Sequence, residues 1–157
     1  MSEITIRKFA TEDIASTAQL FFKSIHRGAA SHYTKEQRDA WAPEIPTPED
    51  WQKRLADAAT WIAEAGGKTI GFMSLCPNGY LDLAFVHPDW IGKGVAARLY
   101  EVLEAYARTS GITALDSDAS LLARPFLARQ GWEVIAEQHP VRHGVPLTNF
   151  RMKKKLN

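Results

Sequence analysis

Gly92 and Gly94 are the residues whose type and spacing point most directly to chemistry, because they lie between a strand pattern and a helix pattern. The apolar run before them must end at Pro88, since proline has no N–H to give to a sheet. After them, apolar residues recur at helical spacing, namely Leu99, Val102, Leu103 and Tyr106. A helix that begins directly after a glycine turn leaves its first N–H groups unpaired, and these groups favour a phosphate. The pattern therefore predicts an anion site over residues 92–97.

Carboxylates in and after the same strand could act as a general base. Asp82 interrupts the apolar run, where a charged side chain must face water, a partner or a site. It could instead be solvated on the polar face of the strand, because it alternates with Leu81 and Leu83. Asp116 and Asp118 follow the next apolar run, and either could instead cap a helix or lie in solvent. If two of these carboxylates converge, they favour a cationic amine as substrate.

The other reactive side chains give weaker signals. The five histidines, at positions 26, 32, 87, 139 and 143, have no spacing typical of metal ligands, and we expect no metal. Cys76 is the only cysteine, so no intrachain disulfide can form, and no basic neighbour along the chain favours its thiolate. Trp41 could line a pocket, although a tryptophan is more often part of the core.

The composition excludes several classes of partner. The 157 residues carry 19 basic and 18 acidic side chains, so no global field recruits nucleic acid or an anionic membrane. The one basic cluster is 153–155, and we expect it to be a solvated tail without a function. No signal peptide or long apolar span is visible, so we expect a cytoplasmic protein with a specific small-molecule site. The length fits a single domain over residues 1–157.

Capping signals and periodicity predict the elements that position these residues. Predicted helices cover 12–27 with Thr11 as N-cap, a short segment from Thr34 toward Trp41, a segment from Thr47, the segment after Gly94, and 120–130. Predicted strands cover 3–9, 60–64, 69–75, 80–88, 112–115, 132–137 and 147–153. This order describes an α/β (α+β) domain with a largely antiparallel sheet, parallel only where the helix after Gly94 returns the chain.

The glycine segment resembles motif A of the GNAT N-acetyltransferase superfamily. In that family a V-x-P strand end precedes [QR]-x-x-G-x-[GA]; Val86-His87-Pro88 and Gly94-Val95-Ala96 match, whereas Ile91 replaces the usual Gln or Arg. Downstream, Ala123-x-x-Phe126-x-x-x-x-Gly131-Trp132 is similar to motif B, A-x-x-F-Y-x-x-x-G-F. Two other phosphate loops are excluded, since the sequence has neither G-x-x-x-x-G-K-[ST] nor a third glycine for a dinucleotide fingerprint.

This resemblance covers nearly the whole chain and implies a GNAT-like fold, a mixed sheet flanked by helices with a splayed central strand pair. It also implies acetyl-coenzyme A (acetyl-CoA) as co-substrate. The residues that it assigns to acetyl-CoA are Phe85, Val86, Gly92, Lys93, Gly94, Val95, Ala96, Ala97 and Ser120. Amides of the glycine segment would hold the pyrophosphate, and main-chain groups of Phe85 and Val86 would pair with the pantetheine arm. Ser120 could instead serve only as a helix cap. Asp118 would lie beside the gap between the two splayed strands.

The position of the thiolate acid is where the sequence departs from the family pattern. In the family it is the tyrosine after the motif B phenylalanine, and Leu127 takes that position here. Another residue or water must then supply the proton, or the chain has lost catalysis. Tyr33 and Tyr80 are the candidate substitutes, and we favour Tyr33 because it lies between two N-terminal helices that flank the acceptor site in the family. Either tyrosine could instead be an ordinary core residue.

The sequence therefore predicts an acetyl-CoA-dependent N-acetyltransferase, with Asp82, Tyr33 and Asp118 as candidate catalytic residues. Its acceptor would be a primary amine of a small molecule or of a peptide, with no nucleic acid or membrane partner. The alternative is a non-catalytic acyl-CoA-binding or sensing module, motivated by Leu127 and Ile91, and a plain interaction domain comes third. The acceptor, the acyl-chain preference and the oligomeric state, including a homodimer, are left open.

Overall fold

Nine strands and five α-helices make up residues 3–156, the part of the chain that the computed structural model describes. The strands are β1 (Thr5–Lys8), β2 (Ala59–Ala65), β3 (Lys68–Leu75), β4 (Leu81–Val86), β5 (Ala114–Ser120), β6 (Glu133–Gln138), β7 (Val141–Arg142), β8 (Val145–Pro146) and β9 (Asn149–Lys155). The helices are α1 (Ile14–Lys23), α2 (Lys35–Trp41), α3 (Pro48–Leu55), α4 (Val95–Thr109) and α5 (Ala123–Arg129). None of the helices in this range is both long and apolar enough to span a membrane.

The strands form two antiparallel sheets that meet edge to edge. The first has the order β1-β2-β3-β4 and the second the order β5-β9-β6, while β7 and β8 form a separate hairpin. The facing edges are β4 and β5, which run parallel and share one bridge, between Tyr80 and Asp116. The predicted architecture, a largely antiparallel sheet flanked by helices with one parallel junction, is confirmed.

Helix α4 connects the two facing strands and packs on the first sheet. The closest approach is at Gly71 of β3, where a Cβ would lie 2.9 Å from Val95 Cγ1 and 3.2 Å from Leu99 Cδ1. A side chain at position 71 would therefore push the start of α4 away from the sheet. Since Gly71 is opposite Val86 in the register, this glycine holds the loop before α4 close to the end of β4.

Two apolar clusters lie on opposite sides of the first sheet. Trp51, Phe72 and Leu83 belong to the cluster under α1 and α3. Met73 and Leu99 belong to the cluster under α4. Neighbouring residues of β3 thus alternate between the two clusters, as strand geometry requires. Because both faces are packed, the strands on which the site is built are held firmly in place.

The start of the first helix differs from the prediction. Thr11 lies inside a 3-10 turn and is not an N-cap; the Asp13 carboxylate accepts the N–H of Ala10 at 2.8 Å instead. Arg7 donates to both oxygens of Asp13 at 2.7 Å, and these bonds hold the pKa of this carboxyl below its ordinary value. Asp13 thus takes the capping role because Arg7 of β1 also binds it, and capping rules based on neighbouring residues do not consider such a distant partner. The predicted N-caps of α2 and α3 are confirmed.

The short strand predicted over 112–115 is wrong in its length. It continues as β5 to Ser120, and the helix expected from Ser120 begins only at Ala123. Asp118 therefore lies inside a strand and not after one. The reason is pairing with β9, where Arg151 is opposite Asp118 in the register. Opposite charges across two strands stabilise a segment whose own residues disfavour a strand.

The basic cluster at 153–155 is also misassigned by the sequence. It forms the end of β9, the central strand of the second sheet, and is not a solvated tail. Lys154 Nζ donates to Glu104 Oε1 and to the carbonyl of Gln130, both at 2.7 Å. A run of lysines is compatible with a strand here because neighbouring carboxylates compensate its charge.

Candidate active site

Strands β4 and β5 are joined at one end only, and the gap between their other ends is the centre of the candidate site. At the joined end, Asp116 donates its N–H to the carbonyl of Gly79 at 3.1 Å. The hydroxyl of Ser117 donates to the carbonyl of Leu81 at 2.7 Å. In the described part of the chain, the two strands share no bridge beyond Tyr80 and Asp116. The splayed central strand pair is thus confirmed.

Two cavities open on either side of this gap. The first, here called the aspartate cavity, has a volume of about 420 Å³, and Asp82 and Asp118 line it. The second, here called the glycine-loop cleft, has a volume of about 400 Å³, and Gly92 and Gly94 line it. Six residues line both cavities and form the passage between them: Trp41, Ala84, Phe85, Ser120, Ala123 and Phe126. A molecule in one cavity can therefore contact a molecule in the other.

Gly92 and Gly94 shape the loop before α4. Both have a positive φ, +81° and +84°, which glycine adopts at little cost. A Cβ on either residue would meet no heavy atom within 4 Å, so backbone conformation requires these glycines and their outer face is open. Residues 94–97 begin α4 and line the cleft, and the first N–H groups of a helix have no acceptor within it. These amides and the helix dipole fit a phosphate group.

Arg129 is the only charged residue among those that line the glycine-loop cleft. It lies in the last turn of α5, and its guanidinium makes no hydrogen bond or ion pair within residues 3–156. Ile91, which replaces the polar residue of motif A, lines the same cleft with an apolar side chain. Arg129 could not be predicted as a site residue, because nothing in the order of the chain places the end of α5 beside the start of α4. A free cation beside free amides adds to the fit for phosphates.

Asp82 lies at a β-bulge in β4. Ser74 of β3 is opposite Leu83 and Leu75 is opposite Leu81, so Asp82 is the extra residue on its strand. The bulge breaks the expected alternation, because Leu81 packs under α4 whereas Leu83 packs under α1 and α3. Asp82, one of the predicted catalytic residues, consequently lines the aspartate cavity.

Arg54 of α3 is the charged partner of Asp82. Its Nε and Nη2 atoms donate to the two carboxylate oxygens of Asp82 at 3.1 and 3.2 Å. The Asp82 side chain is 22% exposed and the Arg54 side chain 44%, so the pair is accessible from the cavity. Each carboxylate oxygen can accept more than one hydrogen bond, and Asp82 therefore keeps acceptor capacity toward a ligand. No local signal in the sequence connects Arg54 with Asp82.

Asp118 is held in a polar network on another wall of the aspartate cavity. Tyr80 Oη donates to Asp118 Oδ2 at 2.8 Å, and Gln138 Nε2 donates to Oδ1 at 2.9 Å. Arg151 Nη1 lies 3.5 Å from Oδ1, and its Nη2 binds Asp116. Burial alone would raise the pKa of the Asp118 carboxyl, but the hydrogen bonds and the charge of Arg151 hold it below its ordinary value. Asp82 and Asp118, the two carboxylates predicted to be catalytic, therefore line one cavity, each beside an arginine.

Tyr33 is buried, with 4% of its surface exposed, and also lines the aspartate cavity. Its hydroxyl donates to the carbonyl of Thr148 at 2.6 Å and accepts the N–H of Leu121 at 2.9 Å. Burial raises the pKa of its phenol, so the hydroxyl keeps its proton near neutral pH. Since Leu121 directly follows Ser120 of the passage, the Tyr33 hydroxyl lies close to the passage. Tyr80 lies at the joined end of the two strands.

The backbone of β4 turns toward the gap at alternate residues. His87 donates its N–H to Ile70 of β3, so by alternation Phe85 also turns to β3 while Ala84 and Val86 turn to the gap. Of the two strand residues predicted for the cofactor, Val86 turns its backbone to the gap, where the Ser24 hydroxyl donates to its carbonyl at 3.1 Å. The main-chain role predicted for Phe85 is wrong, since its backbone pairs with β3 and only its ring lines the gap. Ala84 was not predicted, because the resemblance assigned two consecutive residues, whereas strand backbone groups turn to one side only at alternate residues.

The remaining predicted positions have simpler roles. Ser120 accepts the N–H of Ala123 at 3.1 Å in the turn before α5, whose N-cap position is Leu122, and it also lines both cavities. Lys93 is exposed, and its Nζ lies 5.3 Å from the centre of the Trp90 ring. Leu127 is 2% exposed in the core and offers no proton. Within residues 3–156, no group of three or more His, Cys, Asp or Glu side chains is arranged to hold a metal ion.

Comparison with known proteins places this architecture among acetyltransferases. Residues 29–155 match the family model described as acetyltransferase (GNAT) domain. The uncharacterized N-acetyltransferase YafP of Escherichia coli K12 is 31% identical over 155 residues, 99% of this chain and 98% of that protein. Aminoglycoside N(6′)-acetyltransferase type 1 of Stenotrophomonas maltophilia is 30% identical over 131 residues, 73% of this chain and 74% of that protein.

A solved structure has nearly the same fold along the whole chain. It is a GCN5-related N-acetyltransferase from Rhodopseudomonas palustris, 35% identical in sequence. The match has a TM-score of 0.92 and covers 99% of this chain and 98% of the other. The two sheets, the gap between them and the helices around them are therefore features that this chain shares with a known acetyltransferase structure.

Proposed function

The chain belongs to the GNAT acetyltransferase family, and from this premise we infer that its two cavities hold the two substrates of an N-acetyltransferase. The glycine-loop cleft takes acetyl-CoA, and the aspartate cavity takes a primary amine. The observation that carries this proposal is the passage between the two cavities at the open ends of β4 and β5. Acetyl transfer requires the amine and the thioester in contact with each other and away from the bulk of the solvent.

The residues of the cleft bind and orient the cofactor. The N–H groups of 94–97 donate to phosphate oxygens, and Arg129 supplies a positive charge beside them. Ala84 offers its N–H and its carbonyl, and Val86 offers its N–H, to an extended, amide-bearing arm lying in the gap; the Val86 carbonyl already accepts the hydroxyl of Ser24 at 3.1 Å. When bound, acetyl-CoA supplies an acetyl group that is already activated as a thioester.

Asp82 is the proposed base. An amine arrives as an ammonium ion at neutral pH and must lose a proton before its nitrogen can form the new bond to the acetyl carbon. Asp82 takes that proton, directly or through water, while the carbon–sulfur bond breaks. Its bidentate pair with Arg54 fixes the orientation of the carboxylate. Asp118 provides a second negative charge in the same cavity and favours the cationic form of the incoming amine.

Tyr33 remains the proposed donor of a proton to the departing thiolate. Its hydroxyl is protonated near neutral pH, lies close to the passage and is oriented by Leu121 and Thr148. To act, it must exchange its bond to the Thr148 carbonyl for one to the sulfur or to an intervening water. A thiolate leaves fairly readily without help, so the contribution lies at the low end of the range for general acids.

Tyr33→Phe tests this role, because it removes the hydroxyl and keeps the ring. We expect turnover to fall about a hundredfold with unchanged acetyl-CoA affinity, measured by thiol release and by calorimetry. Tyr80→Phe tests the other candidate acid in the same way, since it removes the hydroxyl that donates to Asp118 at the joined end of the strands. Full turnover in Tyr33→Phe would reject the role as proton donor. The hydroxyl of Tyr33 would then have only a structural role, through its hydrogen bond to the carbonyl of Thr148 before β9.

Arg129→Gln tests the proposed cation of the cofactor site. We expect acetyl-CoA to bind about tenfold to a hundredfold more weakly, because a charge-assisted contact to phosphate is lost. Arg124→Gln on the same helix is the control, since the Arg124 guanidinium lies 4.5 Å from the Phe150 ring centre and does not line the cleft. Repeating the titration with dephospho-CoA shows whether the lost partner is the ribose phosphate or the pyrophosphate. Equal affinities of both variants and wild type would remove Arg129 from the site.

A thiol-release assay tests the proposed function as a whole. The protein is mixed with acetyl-CoA and a panel of primary amines, and free thiol must appear at a rate that depends on the amine. Aminoglycosides belong in the panel because one relative bears that name. Binding of acetyl-CoA with no amine-dependent thiol would instead indicate the non-catalytic acyl-CoA-binding module. Absence of binding would reject both functions.

Four features predicted from the sequence are still to be tested by experiment. They are a small-molecule or peptide amine as acceptor, a homodimer, a cytoplasmic location and a single domain over the whole chain. The homodimer is supported by β6, an edge strand on which Val134 and Ile135 are 42% and 58% exposed. Sedimentation, cell fractionation and limited proteolysis measure the last three.

A further inference from the structure

The aspartate cavity contains one charged side chain that the proposed function does not use. Its charged lining residues are Arg54, Asp82, Asp118 and Arg142. Arg54 is bound to Asp82, so these two charges compensate each other. Asp118 faces Arg151, whose guanidinium it shares with another carboxylate, and keeps a net negative charge on that wall. Arg142 makes no side-chain hydrogen bond or ion pair within residues 3–156, and its charge is therefore available to a ligand.

The β7–β8 hairpin presents Arg142 from a fixed position. Gln37 Nε2 of α2 donates to the carbonyl of Pro146 at 3.1 Å. The Nδ1 atom of His143 lies 3.1 Å from the carbonyl oxygen of Ala40, also on α2. These contacts attach the hairpin to a helix whose last residue lines the passage. A cation on an element held in this way can recognise an anion at a defined place in the cavity.

Part of the remaining wall is aromatic and can accept an apolar group. The aromatic residues of the aspartate cavity are Phe21, Tyr33, Trp41, Tyr80, Phe85 and Phe126. Such surfaces bind apolar or aromatic bodies, while the few charged groups fix the orientation of the ligand. The cavity thus combines a negative wall on the strands, a positive group on the hairpin and aromatic surface between them.

We propose that the acceptor carries a carboxylate as well as its amine, and that Arg142 binds this carboxylate. The substrate class is an amino acid with an apolar or aromatic side chain, whose ammonium group faces Asp82 and Asp118. A guanidinium donates two parallel N–H bonds to a carboxylate, which gives both affinity and orientation. This inference rests on the proposed function, since it names the acceptor of the same site. A purely cationic acceptor would leave Arg142 without a partner and add repulsion.

The test compares matched acceptors in two enzymes. L-phenylalanine, L-phenylalanine amide and phenethylamine share an amine and a ring, but only the first carries a carboxylate. We expect Arg142→Gln to raise the KM of L-phenylalanine about tenfold to a hundredfold and to change the other two little, with kcat nearly constant. Each compound is compared with itself in wild type and variant, so differences in amine basicity cancel. Arg142→Lys keeps the positive charge but loses the two parallel N–H donors, so its KM for L-phenylalanine should lie between those of wild type and Arg142→Gln.

A binding measurement completes the test if none of the three compounds is acetylated. N-acetyl-L-phenylalanine is then titrated into the protein with bound CoA, and wild type is expected to bind it at least tenfold more tightly than Arg142→Gln. Equal binding, or none in either protein, overturns the carboxylate site. An Arg142→Gln effect of equal size on all three amines overturns it too. Acetyl-CoA affinity is measured separately in each protein, so a failed cofactor site is distinguished from a wrong acceptor.

Discussion

Gly94→Asp is expected to abolish measurable acetyl-CoA binding while the fold is retained. The new carboxylate would lie at the first turn of α4, in the space assigned to the phosphates, and would repel them. The fold tolerates the change for two reasons. A Cβ at this position meets no heavy atom within 4 Å, and a negative charge is favourable at a helix N-terminus. The left-handed conformation costs about 1–2 kcal/mol for a residue with a side chain.

Calorimetry with acetyl-CoA measures the loss of binding, which we expect to exceed a hundredfold, and circular dichroism measures the fold. Gly67→Asp is the matched control: Gly67 also has a positive φ, +76°, and open space around its Cβ. It lies in the turn between β2 and β3 and does not line the cleft, so it carries the same strain without the charge at the site. Wild-type affinity in Gly94→Asp would disprove the placement of the phosphates.

Asp82→Asn is expected to lower kcat by about a hundredfold to ten-thousandfold, the range for losing a general base. The substitution is nearly isosteric, so affinity for acetyl-CoA in the neighbouring cleft should hold. An asparagine offers one acceptor oxygen and an NH₂ group, and it therefore keeps only one of the two bonds from Arg54.

Asp50→Asn on α3 is the control for Asp82→Asn, because it removes an exposed carboxylate from the helix that carries Arg54. Its turnover is expected to match wild type. If Asp82→Asn also behaved as wild type, Asp82 would be an ion-pair partner of Arg54 and the base would have to be sought elsewhere, with Asp118 as the next candidate.

The glycine loop and its cleft could be predicted from the sequence because their signals are local. A proline that ends a strand, glycines with a positive φ and the periodicity of the following helix all lie within one short segment. The fold followed in the same way, from capping residues and turn signals near each element. Local rules were sufficient wherever a residue's partner is its neighbour in the chain.

The side of the sheet that each residue of β4 faces could not be predicted, because this bulge has no signal in the amino-acid sequence. The pattern Leu81-Asp82-Leu83 reads as simple alternation, yet the two leucines pack on opposite sides of the sheet. Register against β3 decides where the extra residue is accommodated.

Charged partners from distant segments were the other part that the sequence did not reveal. Arg54, Arg129 and Arg142 reach the two cavities from α3, α5 and β7. From its neighbours in the sequence, each would be assigned to the surface as an ordinary arginine, and only tertiary packing brings it to a cavity. The length of β5 was missed for a related reason, since its aspartates are stabilised by charges on β9.

The single bridge between the two sheets has a consequence for what holds them together. Each sheet is closed internally by continuous antiparallel ladders, whereas the junction at Tyr80 and Asp116 contributes very few backbone hydrogen bonds. The two sheets are instead held together by side chains, because one buried apolar cluster contains Met73 of the first sheet and Met152 of the second. The width of the passage is therefore set by side-chain packing under α4 and not by backbone hydrogen bonds between the sheets.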